Sequence, residues 1–107
     1  MLVSEDRLEK ALSYLAQTDE ACAEAKAHVL RTEHLAKVAE ALAFKATEGP
    51  VELRKQIARL AGPSREAWEA HFQAVVAYET LRAKREKEVL VIETWRSLNA
   101  NQRKGNV

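Results

Sequence analysis

The sequence has little that bends or breaks a chain: three glycines and two prolines in 107 residues. Turns are therefore few, which excludes a fold of many short strands joined by tight turns. Cysteine is nearly absent. Cys22 stands alone, so an internal disulfide framework is excluded. It sits among Ala21, Ala23 and Ala25 on a predicted helix, where it reads as a small apolar filler rather than a nucleophile. No apolar run approaches the roughly 20 residues that span a bilayer. The start, MLVSEDRLEK, lacks a basic stretch followed by an apolar one, so no signal peptide and no membrane association are expected, and the expected location is the cytoplasm.

Motifs that carry catalysis or bind cofactors are lacking as well. His28 and His34 are six residues apart, about 120° around a helix, and do not share a ligand face; His71 lies elsewhere. There is no Cys/His metal spacing, no glycine-rich phosphate loop and no serine or cysteine elbow. Carboxylate and charge pairs at helical spacing, such as Glu20 with Glu24 or Asp6 with Lys10, are what a solvated helix face produces. The expectation is a protein that is not an enzyme and needs no metal or cofactor.

What is present favours helix. Apolar residues make up 47% and charged residues 31% of the chain, the balance of a folded, well-solvated protein. Alanine, leucine, glutamate, lysine and arginine dominate, all good helix formers. Ser4 followed by Glu5 and Asp6 is a helix start, and Leu8, Ala11, Leu12 and Leu15 recur at helical spacing. The polar run Gln17-Thr18-Asp19-Glu20 suggests a break, giving a short helix over about 4–16. A second helix follows over about 19–47. Its stripe runs through Ala21/Cys22, Ala25, Val29, Thr32, Leu35/Ala36, Ala39, Leu42, Ala43 and Ala46, an alanine seam that lets helix axes approach closely. Glu33 and Lys37 add slight support four residues apart. Gly49-Pro50 ends this helix. A short helix over about 51–60 carries Val51, Leu53, Ile57 and Leu60 and is closed by Gly62-Pro63. Ser64 then caps a last helix over about 64–99, with a mobile tail at 101–107.

That last helix has roughly 36 residues and a length of about 54 Å at 1.5 Å per residue. A compact chain of this length has a radius of gyration near 13 Å. The expected architecture is thus all-α: one domain over 1–107, an antiparallel helical hairpin or bundle with one long C-terminal helix, covered by other copies in a homo-oligomer. Trp68, Phe72, Val89, Ile92 and Trp95 are the candidate interface anchors, because Val89-Leu90-Val91-Ile92 is apolar nearly all round.

The net charge of +1 announces no polyanion, but its distribution is uneven. Residues 1–48 are net −3, whereas residues 82–107 are net +4. On the last helix Arg85, Arg96 and Arg103 fall within about 20° of one direction, and Arg82 within about 60° of Arg85. Tyr78, Val89, Ile92 and Asn99 share that face. Arginines interleaved with aromatic and apolar residues can clamp phosphates while planar groups stack on bases. The same stripe also suits a subunit interface, with arginine stems on apolar surface and heads paired to Glu33, Glu40 or Glu48. Arg103 and Lys104, in the tail, suit reversible polyanion contact.

The stretch AYETLRAKREKEVLVIETWRSLNANQRKGN, with WRSLNANQRKG as its most specific part, resembles a family of small helical proteins encoded by tailed bacteriophages. TDEACAEAKAHVLRTEHLAK and FKATEGPVELRK fit the same pattern, so the resemblance covers nearly the whole chain. Members of this kind are often encoded near single-strand annealing and exonuclease genes. The layout is also similar to that of UvsY-type recombination mediators, which form rings, bind single-stranded DNA and help load a recombinase. The resemblance implies a non-enzymatic accessory of phage recombination or DNA metabolism, acting in the host cytoplasm. It implies as partners single-stranded DNA and a recombinase or annealing protein, with Arg82, Arg85, Arg96, Arg103 and Lys104 as nucleic-acid contacts. The alternative is a phage-encoded protein–protein interaction module that does not bind DNA.

Overall fold

A computed structural model describes residues 3–105. It is all-helical, with no strand among the described residues. Three helices follow in order: α1, Glu5–Lys45; α2, Val51–Leu60; and α3, Gly62–Gly105. None of them is long and apolar enough to cross a membrane.

The start of α1 forms as expected. Ser4 Oγ accepts a hydrogen bond from the Arg7 backbone N–H at 3.1 Å, and Glu5 and Asp6 lie in the positive first turn. The expected break at Gln17–Glu20 is not there, and α1 runs unbroken for 41 residues. Its less exposed positions include Leu8, Ala11, Leu15, Thr18, Cys22, Ala25, Val29, Thr32, Ala36, Ala39 and Ala43, all buried or half-buried, flanked by half-buried Arg7, Tyr14, Glu33, Glu40 and Phe44. The series from Leu8 to Ala43 alternates spacings of three and four, the 3.5-residue repeat of a coiled-coil seam. Thr18 is a seam position, so the polar run marks a polar layer in the contact between helices. Every seventh residue of one half of the repeat reads Ala11, Thr18, Ala25, Thr32, Ala39. Leu35 and Leu42, expected inside, lie off this seam and are 53% and 63% exposed.

The linker from α1 to α2 turns at Gly49, whose φ of +119° is the one positive value among the described residues. A side chain there is strained whatever room surrounds it, so Gly49→Ala should cost about 1 kcal/mol or more. Thermal melting measures it, and an unchanged midpoint would show that the linker relaxes freely. Within the linker Thr47 N–H donates to the Phe44 carbonyl at 3.2 Å. Arg54 of α2 donates through Nη2 to the same carbonyl at 3.0 Å and lies 4.0 Å from the centre of the Phe44 ring. One arginine thus gives the Phe44 carbonyl at the end of α1 a second donor and makes a cation–π contact.

The end of α2 at Leu60 matches expectation, but Gly62-Pro63 opens α3 instead of merely closing α2. Proline lacks an N–H where the first turn leaves N–H groups unbonded anyway, so it suits that position. Ser64 therefore lies inside the helix, fully buried, and is not the cap; its Oγ has no hydrogen-bond partner. At its other end α3 does not stop near Asn99. Asn101–Gly105, expected as a mobile tail, are helical, and the rest of that tail lies outside the described residues.

Contacts divide the chain into two units, each built from parts of both long helices. Unit 1 takes the residues up to Ala23 and those from Glu79 on. In it α1 and α3 run antiparallel, with Arg7 bonded to Glu88 and Arg85 to Thr18 and Asp19. Unit 2, Glu24–Tyr78, pairs the same helices antiparallel through Thr32 with His71 and Glu40 with Trp68, and includes α2.

The apolar core is made mostly of alanine. Among the described residues the buried apolar ones are Val3, Ala11, Ala36, Ala58 and Ala74. Alanine lets helix backbones approach but removes little area from water, and so supplies a fraction of the 1.5–3 kcal/mol of a buried leucine. Thirteen large apolar side chains among the described residues are instead exposed. Ten of them, from Leu30 to Val76, belong to unit 2.

Candidate nucleic-acid interface

The C-terminal part of α3, in unit 1, carries all five expected nucleic-acid contacts, and they divide into two groups. Arg82 and Arg85 are engaged by the protein itself. Arg82 is 52% exposed and pairs along its own helix with Glu86 at 3.1 Å and Glu79 at 3.4 Å. Arg85 is a seam residue with 17% of its side chain exposed. Its Nη1 donates to the Leu15 carbonyl at 2.9 Å and to Thr18 Oγ1 at 2.6 Å. Its Nη2 donates to Asp19 Oδ1 at 2.9 Å. Thr18 in turn donates its hydroxyl proton to the Tyr14 carbonyl at 2.7 Å, leaving its lone pairs for the guanidinium. The acceptors Glu33, Glu40 and Glu48, weighed as partners for the arginine stripe, are not those that Arg85 uses. Glu33 binds Lys37 at 3.1 Å, and Glu40 accepts from Trp68 Nε1 at 2.7 Å.

Arg96, Arg103 and Lys104 form the second group. All three are exposed and form no ion pair among the described residues. Leu98 and Asn99 are half-buried, and from Ala100 to Gly105 every residue is exposed, so the last turns of α3 are uncovered. Arg96 and Arg103 are seven residues apart, which places them on one side of the helix about 10 Å apart along its axis. Arg103 and Lys104 also lie in the last turn, where part of their field offsets the negative end of the helix dipole. Such a surface can make separate, reversible contacts to phosphates. It has no enclosing walls and no second polar group aimed at a common point, so it cannot hold one small anion selectively.

Sequence reasoning passed over Lys84 and Lys87 as individual contacts. Both are exposed, and only their share in the net charge of the C-terminal segment signalled them. They lie on other sides of α3 than Arg96 and Arg103, which widens the positive surface without adding to the stripe.

The expected interface anchors also divide. Ile92 and Trp95 are half-buried, whereas Val89 is 40% exposed. Trp95 Nε1 is buried with no partner, an uncompensated donor that weakens the ring's contribution. In unit 2, Trp68 is half-buried and Phe72 is 55% exposed; their rings stack at 6.0 Å between centroids.

Among the described residues no group of three or more His, Cys, Asp or Glu side chains could hold a metal ion. His28 and His34 are exposed. His71 Nδ1 lies 3.2 Å from Thr32 Oγ1. Thr32 Oγ1 also lies 2.9 and 3.0 Å from the His28 and Val29 carbonyls, and the His71 tautomer sets which of the two side chains donates. A groove on α1 is lined by Asp6, Glu9, Lys10, Ser13, Tyr14 and Gln17. Its serine hydroxyl accepts from Gln17 Nε2 at 3.2 Å and faces no histidine base.

Two features define the chain as a class: long helices paired through an alanine-and-threonine seam, and a basic helix end without cover. Compared with known proteins, the chain matches no family model, no curated protein and no solved structure.

Proposed function

We propose that this chain is a non-enzymatic accessory protein of phage recombination or DNA metabolism that acts in the host cytoplasm and binds single-stranded DNA as an oligomer. The observation that carries the reading is the uncovered basic end of α3: Arg96, Arg103 and Lys104 are exposed and form no ion pair among the described residues. The resemblance of the C-terminal stretch to small helical phage proteins adds the biological setting, including a recombinase or annealing protein as a further partner. A single copy offers too few phosphate contacts for firm binding. Several copies joined in one assembly raise the effective concentration of the others once one has bound.

The contacts are to the backbone, so binding should show no sequence preference and should fall steeply with salt. Each phosphate neutralised contributes about −0.7 to the log–log slope on single strands. Arg103→Ala with Lys104→Ala should weaken binding and lower the slope by about 1.4 per engaged subunit, with helicity unchanged because both side chains are exposed. Fluorescence anisotropy with labelled oligonucleotides at several salt concentrations measures both quantities. No binding by the assembled protein at low salt would overturn the DNA reading.

A second reading is a protein–protein interaction module that does not bind DNA. It is favoured by the ten exposed large apolar side chains of unit 2, since scattered single apolar residues are normal on a surface but such a concentration is not. It becomes the better account if the anisotropy experiment fails.

A further inference from the structure

We propose that a second copy of this chain docks on unit 2. In this contact Phe72 and Val76 of one copy's α3 lie on the Leu35–Val38–Leu42 stripe of another copy's α1, and Glu69 meets Lys45. The proposal rests on the self-association in the reading above but not on DNA.

Leu35, Val38 and Leu42 are spaced three and four apart and are 53%, 39% and 63% exposed. At 100° per residue they lie about 110° from the direction in which α1 buries Thr32 and Ala36 against α3. They lie about 140° from Lys37, Glu40, Ala41 and Phe44, which border a groove with Lys55, Ala58 and Arg59 of α2. Neither of the other helices of unit 2 therefore covers the stripe. Phe72 and Val76, 55% and 65% exposed, form a ridge on α3, and Phe72 borders α2 through a groove shared with Arg59.

Charge selects the occupant. The α1 stripe is bracketed by Arg31 and Lys45, both exposed. A twofold pairing of this stripe with itself sets cation against cation in either direction, which is unfavourable. The ridge on α3 has Glu69 one turn before Phe72. With Leu42 beside Phe72 in an antiparallel register, Val38 meets Val76, Lys45 meets Glu69, and Leu35 lies at the edge of the contact, level with Glu79, which is paired to Arg82. The neighbouring Arg65 then falls beyond Lys45, where α1 ends.

Two contacts per copy is what this pairing requires. Stripe and ridge lie on different sides of unit 2, so each contact takes the stripe from one copy and the ridge from another. Such a contact is heterologous and does not end at two copies.

Light scattering on the full chain without DNA, at micromolar concentration, tests the proposal, with far-UV circular dichroism as the folding control. The expected mass exceeds two copies. Leu42→Glu should reduce it to the monomer with helicity unchanged. Lys45→Glu and Glu69→Lys should each raise the concentration for half-assembly about tenfold, and the double exchange should return it near the wild-type value. A monomeric wild type, a mass of two copies, an unaffected Leu42→Glu variant, or a double exchange no better than the single ones would each overturn the proposal. None of these outcomes depends on whether DNA binds, so failure of the DNA reading is scored separately by anisotropy.

Discussion

Ala36→Leu should lower the melting temperature by about 5 to 20 °C. Ala36 is fully buried in the α1 seam, one turn from Thr32, which is only 6% exposed. Close approach of helices depends on the absence of side-chain bulk at such positions. Three added heavy atoms must push the helices apart or take a strained rotamer, at a cost of about 1–3 kcal/mol. For a domain of this size each kcal/mol moves the midpoint by about 4–8 °C. The seam has few large apolar contacts in reserve, so little else compensates. Leu42→Ala, on an exposed position of the same helix, should change the stability of the isolated chain by less than about 0.5 kcal/mol. Thermal melts at concentrations where the chain is monomeric measure both. Equal effects, or none at Ala36, would contradict the alanine seam.

Arg85→Ala should destabilise unit 1 by about 1.5–3 kcal/mol, the range for hydrogen bonds to a charged group that is mostly out of water. The contributions can be separated. Asp19 is 79% exposed, so its ion pair is worth at most about 1 kcal/mol, and Asp19→Ala should cost less than that. The larger share belongs to the bonds to the Leu15 carbonyl and the Thr18 hydroxyl. Chemical denaturation of Arg85→Ala, Asp19→Ala and Thr18→Ala orders them. If Asp19→Ala matched Arg85→Ala, the arginine would be acting as a surface ion-pair partner and not as a seam residue. The same series bears on nucleic-acid binding. A loss of DNA affinity in Arg85→Ala would be accompanied by a loss of stability, whereas the Arg103→Ala/Lys104→Ala variant should lose affinity alone.

Residue chemistry reached some of these features and missed others for identifiable reasons. The Ser4 cap, the bounds of α2 and the all-helical class follow from local preferences that tertiary contacts do not oppose. The unbroken α1 was misread because Gln17-Thr18-Asp19-Glu20 is polar, and polarity was taken as solvent. The missing information was Arg85, 67 residues further on, which makes a threonine in the seam favourable. The arginine stripe failed in the same way. Arg85, Arg96 and Arg103 do share a face on a straight-helix wheel, but the half-buried positions of α3 run through Arg85, Glu88, Ile92, Trp95 and Asn99, so Arg96 falls beside the seam and Arg103 in the exposed last turns. Leu35 and Leu42 read as interior on hydrophobicity, yet the fully buried residue in that part of α1 is Ala36. Large residues beside a small-residue seam are left outside it, and no count of apolar positions distinguishes the two.

The two threonine pairs decide which alignment of the helices is allowed. Alanines seven residues apart look alike to a facing helix, so an alanine seam by itself tolerates a slip of one heptad at little cost. In unit 1 such a slip would carry Arg85 from Thr18 to the level of Ala11 or Ala25, stranding a guanidinium against methyl groups. In unit 2 it would carry His71 from Thr32 to Ala25 or Ala39 and leave its Nδ1 without the hydroxyl that hydrogen-bonds it. Thr18 and Thr32 are fourteen residues apart, as are His71 and Arg85, so a slip of one heptad in either direction loses the threonine partner in each unit. A polar residue in an apolar seam acts in this way as a register mark. The chain gives up some core area and obtains a single alignment from side chains that a hydrophobicity profile would score as interruptions.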